Sequence, residues 1–206
     1  MSLRRKRVWL WLTGIAVVVI LGVVAWYVVP ILTHPSGGSS GQSLSGEAFP
    51  SSVTATGSDG RTRTLSAFEE DGQTPADLSA VQDSAHIVVT GTGYDSGTGI
   101  YVAVCQRPAD ASEKPSPCLG GVPEVSGEVD TEQWAASAWI NDSASWQLFG
   151  AQAWGEEGSF TVRLAVAASD GTLDCRQVEC AIYTRADHTA AADRTQDMFL
   201  PLNFVD

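Results

Sequence analysis

The feature that most restricts this chain is an uncharged apolar run, Val8 to Leu32, VWLWLTGIAVVVILGVVAWYVVPIL, with Arg4, Arg5, Lys6 and Arg7 directly before it. As a helix, the stretch from Val8 to Val29 spans roughly 33 Å, enough to cross a hydrocarbon core of about 30 Å. A helix is the one single segment that satisfies its own backbone polar groups in lipid. Trp9 and Trp11 near one end, and Trp26 and Tyr27 near the other, sit where interfacial aromatic belts are found. Pro30 falls near the outer end, where a lost N–H costs little. No basic residue follows until Arg61. The positive-inside bias therefore predicts a cytoplasmic tail (residues 1–7) and a C-terminal part outside. A cleaved signal peptide is the competing reading, but the run is long for an h-region and no A-x-A-like site follows it. The expectation is an uncleaved, single-pass signal anchor over residues 8–32 of a cell-membrane protein.

Beyond the anchor lie all 24 acidic residues and 8 of the 12 basic ones, so residues 33–206 carry a net charge of 8 − 24 = −16. So acidic a part repels nucleic acid and anionic headgroups, which excludes nucleic acid as a partner. The surplus charge serves solubility at a cell surface, with a cationic partner as a second use. Arg outnumbers Lys ten to two, the bias of a GC-rich bacterial genome. The sequon at Asn141 to Ser143 then carries no expected glycan.

Residues 33–46, THPSGGSSGQSLSG, hold almost no apolar side chain and read as a flexible tether. Residues 47–206 form the extracytoplasmic domain. Val53 to Leu65 reads as a hairpin turning at Ser58-Asp59-Gly60. Phe68 to Asp83 reads as polar loop, with a short helical turn at Pro75 to Leu78. Ala85 to Thr92 and Ile100 to Gln106 are strands around a Gly-rich turn, Gly93 to Gly99. That turn leads into a strand and not a helix, which excludes a phosphate-cradling loop. In the second strand Tyr101, Ala103 and Cys105 share one face, and Ile100, Val102 and Val104 the other. Arg107 to Glu128 is a long loop. Trp134 to Ile140 fits a strand or one helical turn, and Gln147 to Trp154 is ambiguous. Ser159 to Ala168 alternates most clearly, with Phe160, Val162, Leu164 and Val166 on one face. Cys180 to Arg185 and Met198 to Phe204 complete the set, and Pro201 assigns the last strand to an edge. Seven or eight short strands without a long amphipathic helix predict an all-β, antiparallel sandwich behind one transmembrane helix.

Cys105, Cys118, Cys175 and Cys180 are expected to be oxidised outside a cell. Three pairings are open to four cysteines, and the local ones, Cys105–Cys118 and Cys175–Cys180, are favoured. The spacings do not match common zinc knuckles, so no metal site is expected there.

GTLDCRQVEC, Gly171 to Cys180, resembles the Gly-Thr-x-Asp-Cys-x4-Cys segment of the neocarzinostatin and macromomycin family. Val88 to Cys105, VVTGTGYDSGTGIYVAVC, resembles that family's strand, Gly-rich turn and strand leading to its first cysteine. The resemblance covers roughly Ala85 to Phe204. It implies a seven-stranded immunoglobulin-like fold with the same two local disulfides. It also implies an apolar ligand cleft near Cys105, Cys118 and Tyr183. The membrane anchor, the longer Cys105–Cys118 loop and a Trp-rich insert depart from the family. Tyr183 to Asp197 also resembles actinobacterial envelope proteins, some of which accompany haem-uptake domains, so haem is a possible cofactor.

Trp134, Trp139, Trp146 and Trp154 are the domain's four tryptophans, and they fall close together in sequence. They read either as core or, with Tyr183, as a ligand or partner surface. His188 among Asp187, Asp193 and Asp197 reads as a solvated loop, with a cation site as the rival. His86 reads as a satisfied strand-edge residue. No Gly-x-Ser-x-Gly elbow occurs, the cysteines are oxidised, and Glu69–Glu70 and Glu156–Glu157 lie in polar turns. The chain therefore reads as no enzyme and offers no catalytic residue. The expectation is an anchored binding or interaction module, an accessory subunit of a membrane complex. A carrier of an apolar small molecule or haem is the alternative.

Overall fold

A computed structural model describes residues 3–44, 46–121 and 133–205. The 122–128 part of the expected Arg107-to-Glu128 loop lies outside them. The chain divides into two units, Met1–His34 and Pro35–Asp206. The first is one helix, α1 (Leu3–Thr33), long and apolar enough over Val8–Thr33 to cross a membrane. Its two threonine hydroxyls, Thr13 and Thr33, donate to the carbonyls of Trp9 and Val29 one turn back, so neither needs water.

The second unit is built of short strands. They are β1 (Ser52–Thr56), β2 (Thr62–Phe68), β3 (Val81–Gln82), β4 (Ala85–Thr92), β5 (Ile100–Gln106), β6 (Ser137–Ile140), β7 (Phe160–Val166), β8 (Cys180–Ala186), β9 (Phe199–Leu202) and β10 (Phe204–Val205). One antiparallel sheet has the order β1-β2-β4-β7 and a second β6-β5-β8-β9, while β3 and β10 form a short parallel pair. Alternation explains the core between the sheets. Leu65 and Val89 from the first meet Val102, Val104, Ile182 and Leu200 from the second, and Val162 and Leu164 join them from β7. The β1–β2 hairpin turns as expected, with Gly60 at φ 78°. The threonines and serines of its exposed face pair across the strands: Ser52 with Ser66, Thr54 with Thr64, and Thr56 with Thr62.

Three expectations need correction. Pro75 to Leu78 is not a helical turn: Pro75 bridges Phe68 antiparallel, because Asp71 accepts the N–H groups of Gln73 and Thr74 and closes a tight turn first. Trp134 to Ile140 is neither one strand nor a helical turn. Ala135 extends the first sheet beside Leu164, and Ser137–Ile140 then crosses to pair with β5. The segment after the helix is not a free tether over its length either. Gly37 bridges Asp193, the Ser58 N–H donates to the Ser39 carbonyl, and Gln42 is bonded to β9, so residues 37–42 form a strap on the domain. The segment lacks apolar side chains, but its backbone and side-chain polar groups find partners that only the folded domain supplies.

Candidate functional site

Part of the Trp-rich insert, Trp139 and Trp146, and the first disulfide lie toward opposite ends of the outer face of the β6-β5-β8-β9 sheet. Pairing register sets its rows: Trp139–Tyr101–Arg185, then Ala103–Tyr183–Phe199, then Cys105–Ala181–Pro201. Tyr101, Ala103 and Cys105 point away from the core, as their spacing predicts. Pro201 lies on the edge strand, also as expected.

At one end of this face stands an aromatic cluster. Trp146 leans on Trp139 at 5.6 Å between ring centroids, and His188 meets Trp146 edge-on at 4.8 Å. The His188 Nδ1 is 2.9 Å from the Tyr101 hydroxyl. Beneath them Asp187 is fully buried. One of its oxygens accepts from Trp139 Nε1 and Asn141 Nδ2, both at 2.8 Å; the other accepts the Thr189 N–H and hydroxyl. Four donors offset the cost of burying the carboxylate. Gly99 permits this approach, since a Cβ there would fall 2.1 Å from Asp187 Oδ2. Burial, with the Asp187 charge adding to it, pushes the Tyr101 phenol up to about 12.

A single helical turn, α2 (Ala144–Gln147), carries Trp146 and ends in a protruding tip. Leu148 is 80% and Phe149 57% exposed there. Among the described residues of the domain, the only other exposed large apolar side chain is Val178. The sequence reading ranked the tryptophans and passed over the adjacent Leu148-Phe149 pair. Two adjacent large apolar residues directly before Gly150, outside any alternating strand pattern, are the available signal.

At the other end of the face, Cys105 and Cys118 are disulfide-bonded, as are Cys175 and Cys180. Tyr183 stacks on Phe199 at 5.3 Å, and burial pushes its phenol pKa up. A cavity of about 240 Å³ lies between the strap, the loop after β5 and this aromatic pair; Ser39, Ser40, Arg107, Tyr183, Arg194 and Asp197 are in its wall. Arg107 lies over the Phe199 ring at 5.3 Å. Arg194 donates to Asp197 at 2.6 Å and to the Ala191 carbonyl. Burial, opposed by the Arg194 charge, pushes the Asp197 carboxyl up to about 6.

The four tryptophans do not form one surface. Trp154 is in the core with Tyr94 and Phe160. Trp134 stacks flat on His86 at 4.2 Å, with Arg163 over its ring. Trp139 and Trp146 remain together. Tyr183 stands with the Cys105–Cys118 bridge. Asp187, Asp193 and Asp197 are buried and not a solvated loop, and each turns to different partners: Trp139 and Asn141, Thr195, and Arg194. Among the described residues no group of His, Cys, Asp and Glu converges as metal ligands do.

No protein-family model matches the chain. Among curated proteins it is similar to thiamine biosynthesis protein X of Corynebacterium glutamicum, 28% identical over 121 residues, or 59% of this chain and 57% of that protein. The chain thus aligns with just over half the length of that relative. Among solved structures macromomycin is similar at 16% identity and a TM-score of 0.34, over 63% of this chain and 95% of macromomycin.

Proposed function

We propose that the chain is a membrane-anchored, extracytoplasmic binding module, and that its partner surface is the Trp146–Phe149 tip. In this reading α1 spans the cell membrane with Arg4 to Arg7 on the cytoplasmic side. The two disulfides support an oxidising compartment for the domain. The observation that carries the partner surface is the tip itself. Leu148 and Phe149 are exposed on a turn whose aromatic base is Trp146 packed on Trp139. Exposed apolar side chains on a firm base are the usual form of a protein-binding anchor. An immunoglobulin-like arrangement of the sandwich agrees with a module that presents loops to a partner.

The carrier reading rests on the cavity beside Cys105–Cys118. Its wall mixes Arg107, Glu113, Arg194 and Asp197 with Leu44, Pro108 and Phe199, and charge at the wall suits an apolar ligand or haem less well. The Corynebacterium relative is named for thiamine biosynthesis, and the reading extends to an accessory role for the module in that context. Co-purification from mild detergent tests the main reading: the wild type brings down a membrane partner, and the Leu148→Ser/Phe149→Ser variant does not. Recovery of the wild type alone, or equal capture by both, overturns it. A thiamine requirement in cells lacking the chain tests the metabolic context separately.

A further inference from the structure

Each of the two four-stranded sheets ends in two edge strands, and an uncovered edge is a template for further pairing. Among the described residues, three of these edges are closed from within the chain. Along β7, Ala135 donates to the Arg163 carbonyl and accepts the Ala165 N–H. Along β6, Gln152 donates to the Trp139 carbonyl and accepts the Asn141 N–H. Along β9, the Gln42 amide takes both backbone groups of Phe199, and Pro201, the next residue facing the same way, has no N–H to offer. The remaining edge is β1.

The ladder of the first hairpin fixes which way β1 faces. Ala67 donates to the Ser51 carbonyl and Gly57 to the Arg61 carbonyl, so the odd-numbered residues of β1 bond to β2. The even-numbered ones, Ser52, Thr54 and Thr56, turn their N–H and C=O groups outward. The strap covers the Thr56 end, where a Cβ on Gly41 would fall 2.1 Å from the Thr56 carbonyl oxygen. Among the described residues no hydrogen bond reaches the backbone groups of Ser52 or Thr54. The core is open at the same place. Val53 and Ala55 pack against it from β1 but stay half-buried, whereas Leu65 and Ala67 on the next strand are fully buried. The devices that keep edges apart are missing from β1: SVTAT has no charge, no proline and no bulge. Its outward side chains continue across the sheet as rows of hydroxyls, Thr54–Thr64–Thr92 and Ser52–Ser66–Thr90. Beyond the anchor the net charge is 8 − 24 = −16, so two copies repel one another. This neutral strip lets them approach without setting carboxylates against each other.

We propose that β1 is a self-association edge, which pairs antiparallel with β1 of a second copy about a two-fold axis through Val53. Ser52 of each copy then lies opposite Thr54 of the other, and the two exchange backbone N–H to C=O hydrogen bonds, joining two sheets into one. Val53 meets Val53 of the second copy on the core side and loses its exposure to water. This edge is independent of the Trp146–Phe149 tip, which adjoins the other sheet, and either stands if the other fails.

Sedimentation velocity of the full-length protein in mild detergent, over a concentration series, tests it together with cysteine cross-linking. A reversible dimer is expected. Thr54→Pro removes the outward N–H while leaving the bonds between β1 and β2, and Thr54→Glu sets like charges across the axis. Each is expected to weaken dimerisation about tenfold or more. Thr54 is exposed, so both variants keep the fold, which near-ultraviolet circular dichroism verifies. Under mild oxidation Val53→Cys is expected to form an intermolecular disulfide, since the axis brings the two β-carbons within about 4.5–5.5 Å. Ala55→Cys is expected not to. A wild type that stays monomeric at every concentration overturns the proposal. So does a dimer that neither Thr54 variant weakens, which would be held by the membrane helices alone. Cross-linking at Ala55 in preference to Val53 overturns it as well.

Discussion

The side-chain amide of Gln42 takes both backbone hydrogen bonds of Phe199: Nε2 donates to its carbonyl at 2.6 Å, and Oε1 accepts its N–H at 2.7 Å. One side chain thus does what a neighbouring strand would do along the open edge of β9. It also fixes the strap that encloses the cavity. Gln42→Ala is expected to cost about 1–2 kcal/mol in denaturant unfolding. Hydrogen exchange over residues 37–44 is expected to quicken more than elsewhere. Exchange there as slow as in the wild type would show that the strap is held without this contact.

Arg63 is fully buried in the domain. Asp59 receives both of its terminal nitrogens, at 2.5 and 3.0 Å, and the guanidinium lies 5.9 Å from the Tyr94 ring centroid. Asp59→Ala leaves that charge without a counter-ion and is expected to destabilise by about 2–4 kcal/mol. Adding Arg63→Met is expected to recover most of the loss. A double-mutant cycle checks both numbers.

Acid stability has a specific signature. The Asp197 carboxyl is raised to about 6 in the folded domain, from an ordinary 3.8. Between those values the folded state holds a proton that the unfolded chain has released. The stability Asp197 contributes is therefore complete below the unfolded pKa and lost as pH rises through the folded one. About two pKa units correspond to a loss on the order of 2–3 kcal/mol. Asp59, Asp83 and Asp170 are lowered and act in the opposite sense, losing stability only as pH falls below 3.8. Denaturant unfolding is expected to show greater stability at pH 4.5 than at pH 7. Asp197→Asn is expected to flatten that slope.

The two disulfides close loops of different length, 13 and 5 residues apart in sequence. Loop entropy assigns about 3 kcal/mol to Cys105–Cys118 and about 2 kcal/mol to Cys175–Cys180. Paired alanine substitutions are expected to reproduce that order in thermal unfolding. The first is also expected to loosen the loop around Lys114, read as faster proteolysis between Arg107 and Cys118.

Trp139 and Leu148 separate folding from binding. Trp139→Phe removes the 2.8 Å bond to buried Asp187 and is expected to lower stability by about 1–3 kcal/mol. Leu148→Ser, 80% exposed, is expected to leave stability within about 0.5 kcal/mol while reducing partner capture. A stability loss at Leu148 equal to that at Trp139 would mean that the tip belongs to the core.

Local pattern made much of the sandwich legible. Ala85–Thr92 and Ile100–Gln106 form the strands that alternation and β-branching mark out, with the expected faces. Phe160, Val162, Leu164 and Val166 are all buried. The cysteine pairs favoured by proximity are the bonded ones. Where the reading failed, the deciding contact was distant. Gln42 meets a partner 157 residues away, so nothing near it in the chain distinguishes a strap from a tether. The insert's tryptophans share a composition but not an environment, because the crossing between sheets after Ala136 sends Trp134 and Trp139 to different faces.

By itself the sequence determined the apolar helix, the strand periodicity and the acidic charge, because each depends on neighbours within a few residues. Only the tertiary structure decided which tryptophans stay wet, where the strap lies, and that Arg107, Arg194 and Asp197 line one cavity. Those outcomes depend on strand pairing over long chain separations, where backbone hydrogen bonds and charge interactions exist only after the sheets have closed.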